Sequence, residues 1–483
     1  MSKILIKYKS LSIVAKATIW YMVCSVLQKG ISVITTPIFT RLLTTEEYGL
    51  YSVYLSWENI FIIFTSLRLD YTVFNKGMSK YKNERDGYVA SMQIITTILT
   101  GITLIIYLFF RYNINAFTEL STTIMLLIIM QCLFYPSYNF WMLRERYEYK
   151  YIKSVIVVLL LTVFNALIGI IAIKITDGNH GFIRILTNVM IYSIIGFVLY
   201  IINFKKGIKK ARKEHIKFAL LFNLPMIPHY LSMYVLHQLD RVMIQKMVGL
   251  VETGIYSVAS SIGNVMTIIS QSFINALTPW YYEKLEENKF EDVKRIYLPV
   301  IMSMLLIISI FLLIIPELMR LFVPIQYYEA IYIVPPIAAS VVFQTMYSFF
   351  SIPEYYHDAN KFSMFASIIS AITNVITNYI FINLYGYLAA GFTTLFCNFL
   401  MAVCHYIYCN KVMKKKHMDY FSFREICITS ILTFLISISI CFIYNYLVVR
   451  YVILIIILLV LFFNKKEILD LLFLMKKAKK NDI

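Results

Sequence analysis

The sequence predicts an all-α polytopic membrane protein with about fourteen transmembrane helices, arranged as two six-helix lobes related by a pseudo-two-fold along the membrane normal plus two C-terminal helices. Three observations carry this expectation. Hydrophobic residues make up 59% of the 483-residue chain and the mean hydropathy is +0.70, which is too apolar for a water-soluble chain of this length. Apolar runs of about 20 residues, the length a helix needs to cross about 30 Å of hydrocarbon, recur throughout. Finally, the stretch Arg41-Leu-Leu-Thr-Thr-Glu-Glu-Tyr-Gly-Leu-Tyr-Ser-Val53 returns as Lys246-Met-Val-Gly-Leu-Val-Glu-Thr-Gly-Ile-Tyr-Ser-Val258 at an offset of 205, with Glu47, Gly49, Tyr51, Ser52, Val53, Ser56 and Asn59 matched by identical residues. Repetition at half the chain length suggests duplication, and weak internal symmetry of this kind marks two bundles in many membrane transporters.

Taken in order, the apolar runs predict helices at about 12–38, 49–75, 88–110, 121–141, 154–173, 182–203, 218–243, 250–277, 297–315, 333–353, 363–383, 388–409, 426–447 and 449–463. The first follows a basic start but is of spanning length and lacks a small-residue cleavage site, so it is expected to remain as a helix. Shifting the first six by the repeat offset overlays them on the seventh to twelfth. Six crossings is an even number, so both lobes would share one orientation. The expected divisions are a lobe at 1–204, a basic cytoplasmic linker at 205–217, a second lobe at 218–410, and the last two helices with a basic cytoplasmic tail at 411–483.

Orientation follows from the basic residues. With the N-terminus inside, the inner segments hold 34 of the 45 Lys and Arg, and the outer loops and spans together hold only the other 11. Basic loops stay cytoplasmic, so both termini are expected on the cytoplasmic side of the membrane. The net charge of +18 is therefore explained by topology rather than by nucleic acid. The segment 281–296 reads as a solvated amphipathic helix, and the tail from Lys465 as a surface-lying element on anionic lipid. Seven cysteines lie in or beside apolar runs without metal-ligand spacing, so free thiols and no metal are expected. His229 and His237 are eight apart and His357 stands beside Asp358; no nucleophile–base pair, P-loop or metal motif is present to suggest an enzyme.

Lys29-Gly30, Pro37, Thr40-Arg-Leu-Leu43, Glu47-Tyr-Gly-Leu-Tyr51, Asp240-Arg241 and Gly254-Ile-Tyr256 resemble the polysaccharide transporter family of the multidrug/oligosaccharidyl-lipid/polysaccharide exporter superfamily. The resemblance implies a Wzx-type flippase that carries undecaprenyl-diphosphate-linked oligosaccharide repeat units from the inner to the outer leaflet by alternating access, for O-antigen, capsular or exopolysaccharide synthesis. Its partners would be the lipid-linked oligosaccharide, membrane lipids, and the polymerase and glycosyltransferases of the same route. A cofactor is not expected, although H+ or Na+ would serve as a coupling ion. A sugar head group cannot cross hydrocarbon bare, and its diphosphate calls for cations, which turns attention to charges inside the spans.

Lys29 lies about 13 Å below the outer end of its helix at 1.5 Å per residue; it reads as a cavity cation or as a snorkelling structural lysine. Arg68 and Asp70 are two apart, so on a continuous helix they diverge and each is expected to pair with another helix, as an inner phosphate contact and its gating partner or as structural pairs. Glu58 is the candidate carrier of a coupling proton. Pro225 and Pro228 open the seventh helix and predict a hinge; Tyr234, His237 and Arg241 follow on one face as substrate-binding candidates. Asp240 with Arg241 suggests an outer gate, or a solvated pair. Arg184, at the start of the sixth helix, reads as interfacial. A cation-coupled multidrug exporter and a lipid II flippase are the alternatives on the same fold. A glycosyltransferase or polymerase would be expected to carry a long, Arg-rich outer loop, whereas the longest here, around Arg320, spans about 17 residues.

Overall fold

The computed structural model describes residues 12–357, 361–415 and 421–463. Every regular element there is helical. The tail from Lys465, and Asp358 beside His357, lie outside the described residues. By internal contact the chain divides into two compact units, Met1–Tyr234 and Val235–Ile483, with the division inside the seventh expected span.

In the first unit the helices are α1 (Ile13–Leu42), α2 (Thr45–Ser66), α3 (Thr72–Lys80), α4 (Arg85–Thr118), α5 (Thr122–Tyr147), α6 (Tyr151–Ile175), α7 (His180–Gly207) and α8 (Lys213–Asn223). Helix α9 (Ile227–Met247) bridges into the second unit, which continues with α10 (Leu250–Gly263), α11 (Val265–Glu286), α12 (Phe290–Leu313), α13 (Ile315–Phe322), α14 (Val334–Tyr356), α15 (Lys361–Tyr385), α16 (Ala389–Lys415), α17 (Phe423–Ile443) and α18 (Leu447–Phe463). Their outer faces are apolar at helical spacing. Ile156, Leu160, Val163 and Leu167 on α6, and Ile431, Leu435, Ile438 and Phe442 on α17, are all exposed, an arrangement that water would penalise and lipid solvates. Ten helical segments are individually long and apolar enough to cross a membrane, and the bent pair Ile325–Tyr332 with α14 makes an eleventh. This is an all-α polytopic membrane protein.

The other expected spans are helical but interrupted or short. The run 49–75 is not one helix. Helix α2 stops at Ser66, and Leu67 (φ 49°) and Arg68 (φ 51°) both take the left-handed conformation before α3 starts. Two consecutive non-glycine residues in that region cost local energy. Burial offsets the strain: Leu67, Leu69, Val73 and Phe74 enter one core cluster with Tyr88, Met92 and Phe140, and Asn223 Nδ2 donates to the Leu67 carbonyl. The run 250–277 breaks at Asn264, just after Gly263 packs so closely on α14 that a Cβ there would lie 2.8 Å from Ile337 Cγ2. The last span is the short α18.

The segment 281–296 is likewise corrected. It forms the end of α11 and the start of α12, joined by a turn with Asn288 at φ 55°. Its apolar side, Tyr281, Leu285, Phe290 and Val293, is buried in the fold, and only its charged side is left to ion pairs such as Lys284 with Glu287 at 2.6 Å.

The repeated motif works as a cap. Thr44 and Glu47 form a reciprocal capping box at the start of α2, which satisfies backbone donors that the first turn leaves free. The second Glu47 oxygen accepts the His180 amide at 2.7 Å, so one carboxylate fixes the starts of both α2 and α7. In the second copy Gly249, at φ 149°, stands in place of Thr44 and supplies no side-chain cap.

Candidate functional site

A buried polar chain runs through the first unit. Arg184 Nη2 on α7 donates to Asn165 Oδ1 on α6 at 2.7 Å; Asn165 Nδ2 donates to Asn188 Oδ1 at 2.9 Å; Asn188 Nδ2 donates to the Tyr54 hydroxyl at 3.1 Å. Tyr54 then donates to Gln131 Oε1 at 2.5 Å, and Gln131 Nε2 donates to Glu58 Oε1 at 2.6 Å. All six side chains are buried. Every donor points the same way, from the guanidinium to the carboxylate. Aligned links polarise one another in a low-dielectric interior, so this chain couples a cation and an anion that make no direct contact. Three of its members are amides, which carry polarisation but do not hand on a proton as hydroxyls and waters do.

Arg184 anchors the cationic end. Its guanidinium lies 4.4 Å from the Phe39 ring and 4.9 Å from the Tyr51 ring, close enough for cation–π attraction. Its Nη1 also donates to the Asn165 carbonyl at 3.2 Å. The expectation that Arg184 is interfacial is therefore overturned: α6 and the motif tyrosine of α2 enclose it.

At the break after α2, Arg68 Nε comes 3.8 Å from Asp70 Oδ1. The left-handed residues remove the helical divergence on which the expectation of separate partners rested. Asp70 also accepts from Asn139 Nδ2 on α5 at 3.0 Å, and the Arg68 guanidinium sits 4.1 Å over the Tyr71 ring. The two charges are brought together. Lys29 stands apart on the exposed side of α1.

In the second unit the central group is Asp240. It is buried, and it accepts hydrogen bonds from Tyr256 on α10 at 2.6 Å, Asn378 on α15 at 2.6 Å and Thr394 on α16 at 2.9 Å. Asn374 and Thr393 extend the cluster through Asn378. These donors are neutral, so hydrogen bonds rather than an ion pair support the carboxylate. Asp240 is thus not solvated. Arg241 turns elsewhere, to Gln238 Oε1 at 2.7 Å and Ser260 Oγ at 3.0 Å. The oxygens of Asp240, Asn374, Asn378, Thr393 and Thr394 are hard donors of the kind that suit Na+ or another hard cation.

Of the remaining candidates on α9, His237 is exposed, whereas Tyr234 is buried and donates to the Ser56 carbonyl at 2.5 Å. Pro225 lies in the 3-10 turn Leu224–Met226 and Pro228 in the first turn of α9, where the helical path from α8 is interrupted. Gln131, Asn165, Asn188, Asn374, Asn378, Thr393 and Thr394 were not singled out in the sequence. Their signal was available as amides and hydroxyls isolated within apolar spans, which are expensive there unless used.

The fold and these two buried polar clusters define a multi-pass membrane protein with charges held inside helical bundles. The signature described as polysaccharide biosynthesis protein matches residues 14–285. The chain belongs to the polysaccharide biosynthesis protein family, in agreement with the resemblance read from its motifs. Lsg locus putative protein 1 of Haemophilus influenzae is 24% identical over 380 residues, covering 75% of this chain and 90% of that protein. An uncharacterized membrane protein of the same organism is 22% identical over 367 residues, covering 73% and 86%. Among solved structures, lipid II flippase MurJ in an inward closed conformation matches with a TM-score of 0.69 at 12% identity, over 93% of this chain and 100% of that one. An inward-facing multidrug resistance MATE family transporter of the MOP superfamily matches at 0.60 and 13%, over 80% and 96%. At these identities the likeness to MurJ and MATE is one of fold.

Proposed function

We propose that this protein is a non-enzymatic flippase that moves undecaprenyl-diphosphate-linked oligosaccharide repeat units from the inner to the outer leaflet of a bacterial cytoplasmic membrane by alternating access, for O-antigen, capsular or exopolysaccharide synthesis. The observation that carries the reading is membership of the polysaccharide biosynthesis protein family in a chain with the fold of a lipid II flippase. Buried polar groups inside apolar helices fit transport, because such groups are retained where a pathway or coupling site needs them. In this reading Lys29 and Arg68 of the first unit and Arg241 of the second are candidate diphosphate contacts, His237 and Tyr234 are further substrate-binding candidates, and Glu58, Asp70 and Asp240 serve gating or ion coupling. Pro225 and Pro228 form the hinge. The Asp240 cluster is where a coupling Na+ or H+ would be held, by the carboxylate and the oxygens of Asn374, Asn378, Thr393 and Thr394. Both termini face the cytoplasm.

The buried carboxylates also favour a second reading, a cation-coupled multidrug exporter, since the donors to Asp240 among the described residues, Tyr256, Asn378 and Thr394, are neutral. The two separate in cells. Deleting the gene should remove surface glycan and leave drug sensitivity unchanged, and Lys29→Ala and Arg241→Ala should each lower surface glycan at normal membrane abundance. Normal glycan in the deletion strain, with raised drug sensitivity, would reverse the choice.

A further inference from the structure

A cavity of about 880 Å³ opens in the first unit where α3, the start of α4 and the end of α5 meet, lined by Asn75, Arg85, Arg146, Tyr147, Glu148 and Lys150 among others. None of these residues belongs to either buried cluster. The cavity occupies the end of the unit that carries the basic segment, since Gly87, two residues after Arg85, packs directly on the Lys210 backbone.

Its charges are unequally committed. Glu148, the one acid named among the lining residues, is taken up by Lys150 Nζ at 2.6 Å and Arg144 Nε at 3.2 Å. Burial alone would raise the Glu148 carboxyl, but the hydrogen bonds from Lys150 and Arg144 outweigh it and hold the group below the usual carboxylate range, so it stays paired and anionic. Arg144 is further fixed by Asp86 at 2.7 Å. Arg85 and Arg146, by contrast, face no carboxylate within ion-pair distance among the described residues. Arg85 stacks on the Tyr147 ring at 4.7 Å and donates Nε to the Met78 carbonyl at 3.2 Å. Arg146 stacks on the Tyr21 ring at 5.2 Å, and Tyr21 is held by a 2.8 Å hydrogen bond between its hydroxyl and Ser154.

A guanidinium drawn to an aromatic face is positioned without neutralising its charge, and its planar fork matches two phosphate oxygens better than an ammonium does. Between a cytoplasmic basic pocket and an anionic leaflet the natural ligand is a lipid head group. From the paired stacking of Arg85 and Arg146 around this cavity, we propose that it is a binding site for the phosphate of a membrane lipid head group, gripped by both arginines, with Lys150 and Asn75 at the wall. The site does not depend on the transport reading, because it specifies a phosphate-bearing lipid whatever the protein moves.

The test uses the full chain purified in neutral detergent and mass spectrometry of the intact complex, with added phosphatidylglycerol, phosphatidylcholine, undecaprenyl diphosphate or inorganic pyrophosphate. Wild type should retain phosphatidylglycerol or undecaprenyl diphosphate about tenfold more than phosphatidylcholine, a factor that corresponds to about 1.4 kcal/mol. Arg85→Gln with Arg146→Gln should reduce retention to the phosphatidylcholine level, while Arg111→Gln, an exposed cation at the other end of α4, should leave it intact. Displacement of phosphatidylglycerol by undecaprenyl diphosphate would identify the carried lipid as the ligand, and its failure to displace would identify a resident lipid; both support the site. Arg85→Lys with Arg146→Lys keeps the charge and guards against misfolding, and it should still lose most retention because the fork is gone. Equal retention of the anionic and zwitterionic lipids, unchanged retention in the folded variants, or binding of pyrophosphate with no lipid retained would overturn the proposal.

Discussion

Removing the guanidinium from the buried chain of the first unit tests whether that chain is a coupled unit. In Arg184→Ala, Asn165 loses donors at 2.7 Å and 3.2 Å, and the Phe39 and Tyr51 rings lose their cation. Hydrogen bonds to a charged group contribute about 1.5–3 kcal/mol each and cation–π contacts about 0.5–2. Their sum overstates the effect, because the wild type also carries the cost of desolvating the arginine. A net loss of about 2–4 kcal/mol is expected, dominated by the orphaned Asn165 oxygens in a dry interior. The assay is reversible unfolding of the micelle-embedded chain by SDS, run as a double-mutant cycle with Asn165→Ala. Directly bonded residues should couple by at least about 1 kcal/mol, whereas independent sites add to within about 0.5. A loss below about 0.5 kcal/mol, or strict additivity, would refute the view that Arg184 anchors the chain.

Gly87→Ala should fold poorly, because a Cβ there meets the Lys210 backbone carbonyl, which cannot rotate away; overpacking of this kind costs about 1–3 kcal/mol, readable as a lower yield of monodisperse protein. Arg450 on α18 donates to both oxygens of Glu317 at 2.8 Å and to the Leu313 carbonyl at 2.8 Å. Arg450 holds the Glu317 carboxyl below its ordinary value of 4.5, against burial that would raise it, so the pair's stabilisation is complete above that pH and is lost as pH falls through the lower folded value. Once corrected for the pH dependence of intrinsic amide exchange, protection in α13 and α18 should therefore fall as pH is lowered below about 4.5, and Arg450→Gln should abolish that pH dependence. Asp240→Asn places an amide donor against the donors Tyr256, Asn378 and Thr394; transport should fall by at least about tenfold, equivalent to about 1.4 kcal/mol, with membrane abundance unchanged.

The spanning elements were legible because their signal is local: runs of about 20 apolar residues with prolines and basic loops between them. The break at Leu67 and Arg68 was not, since neither glycine nor proline marks it. What stabilises it is distant, the packing of Leu67 and Leu69 against Tyr88 and Phe140 and the donor from Asn223. Arg68 and Asp70 consequently met each other, although helical spacing argued against it. Arg184 was misplaced for a related reason. Its position at a span start suggests an interface, whereas its burial depends on Asn165 on the neighbouring helix and on two aromatic rings separated from it in sequence. The motif Glu47-Tyr-Gly-Leu-Tyr51 was found by repetition alone. Its physical content, a cap shared by two helix starts and a tyrosine beside the buried cation, emerged only in three dimensions.

The central claim is that this chain carries an anionic lipid-linked glycan across the bilayer. It is tested most directly by reconstituting the purified protein in liposomes with a fluorescent undecaprenyl-diphosphate oligosaccharide and following how much of the label an impermeant quencher reaches over time. Wild type should expose the inner-leaflet pool within minutes, and Arg241→Ala should do so much more slowly. A pool that stays protected at the rate of empty liposomes, under an imposed H+ gradient and under an imposed Na+ gradient and with correctly folded protein, would contradict the account.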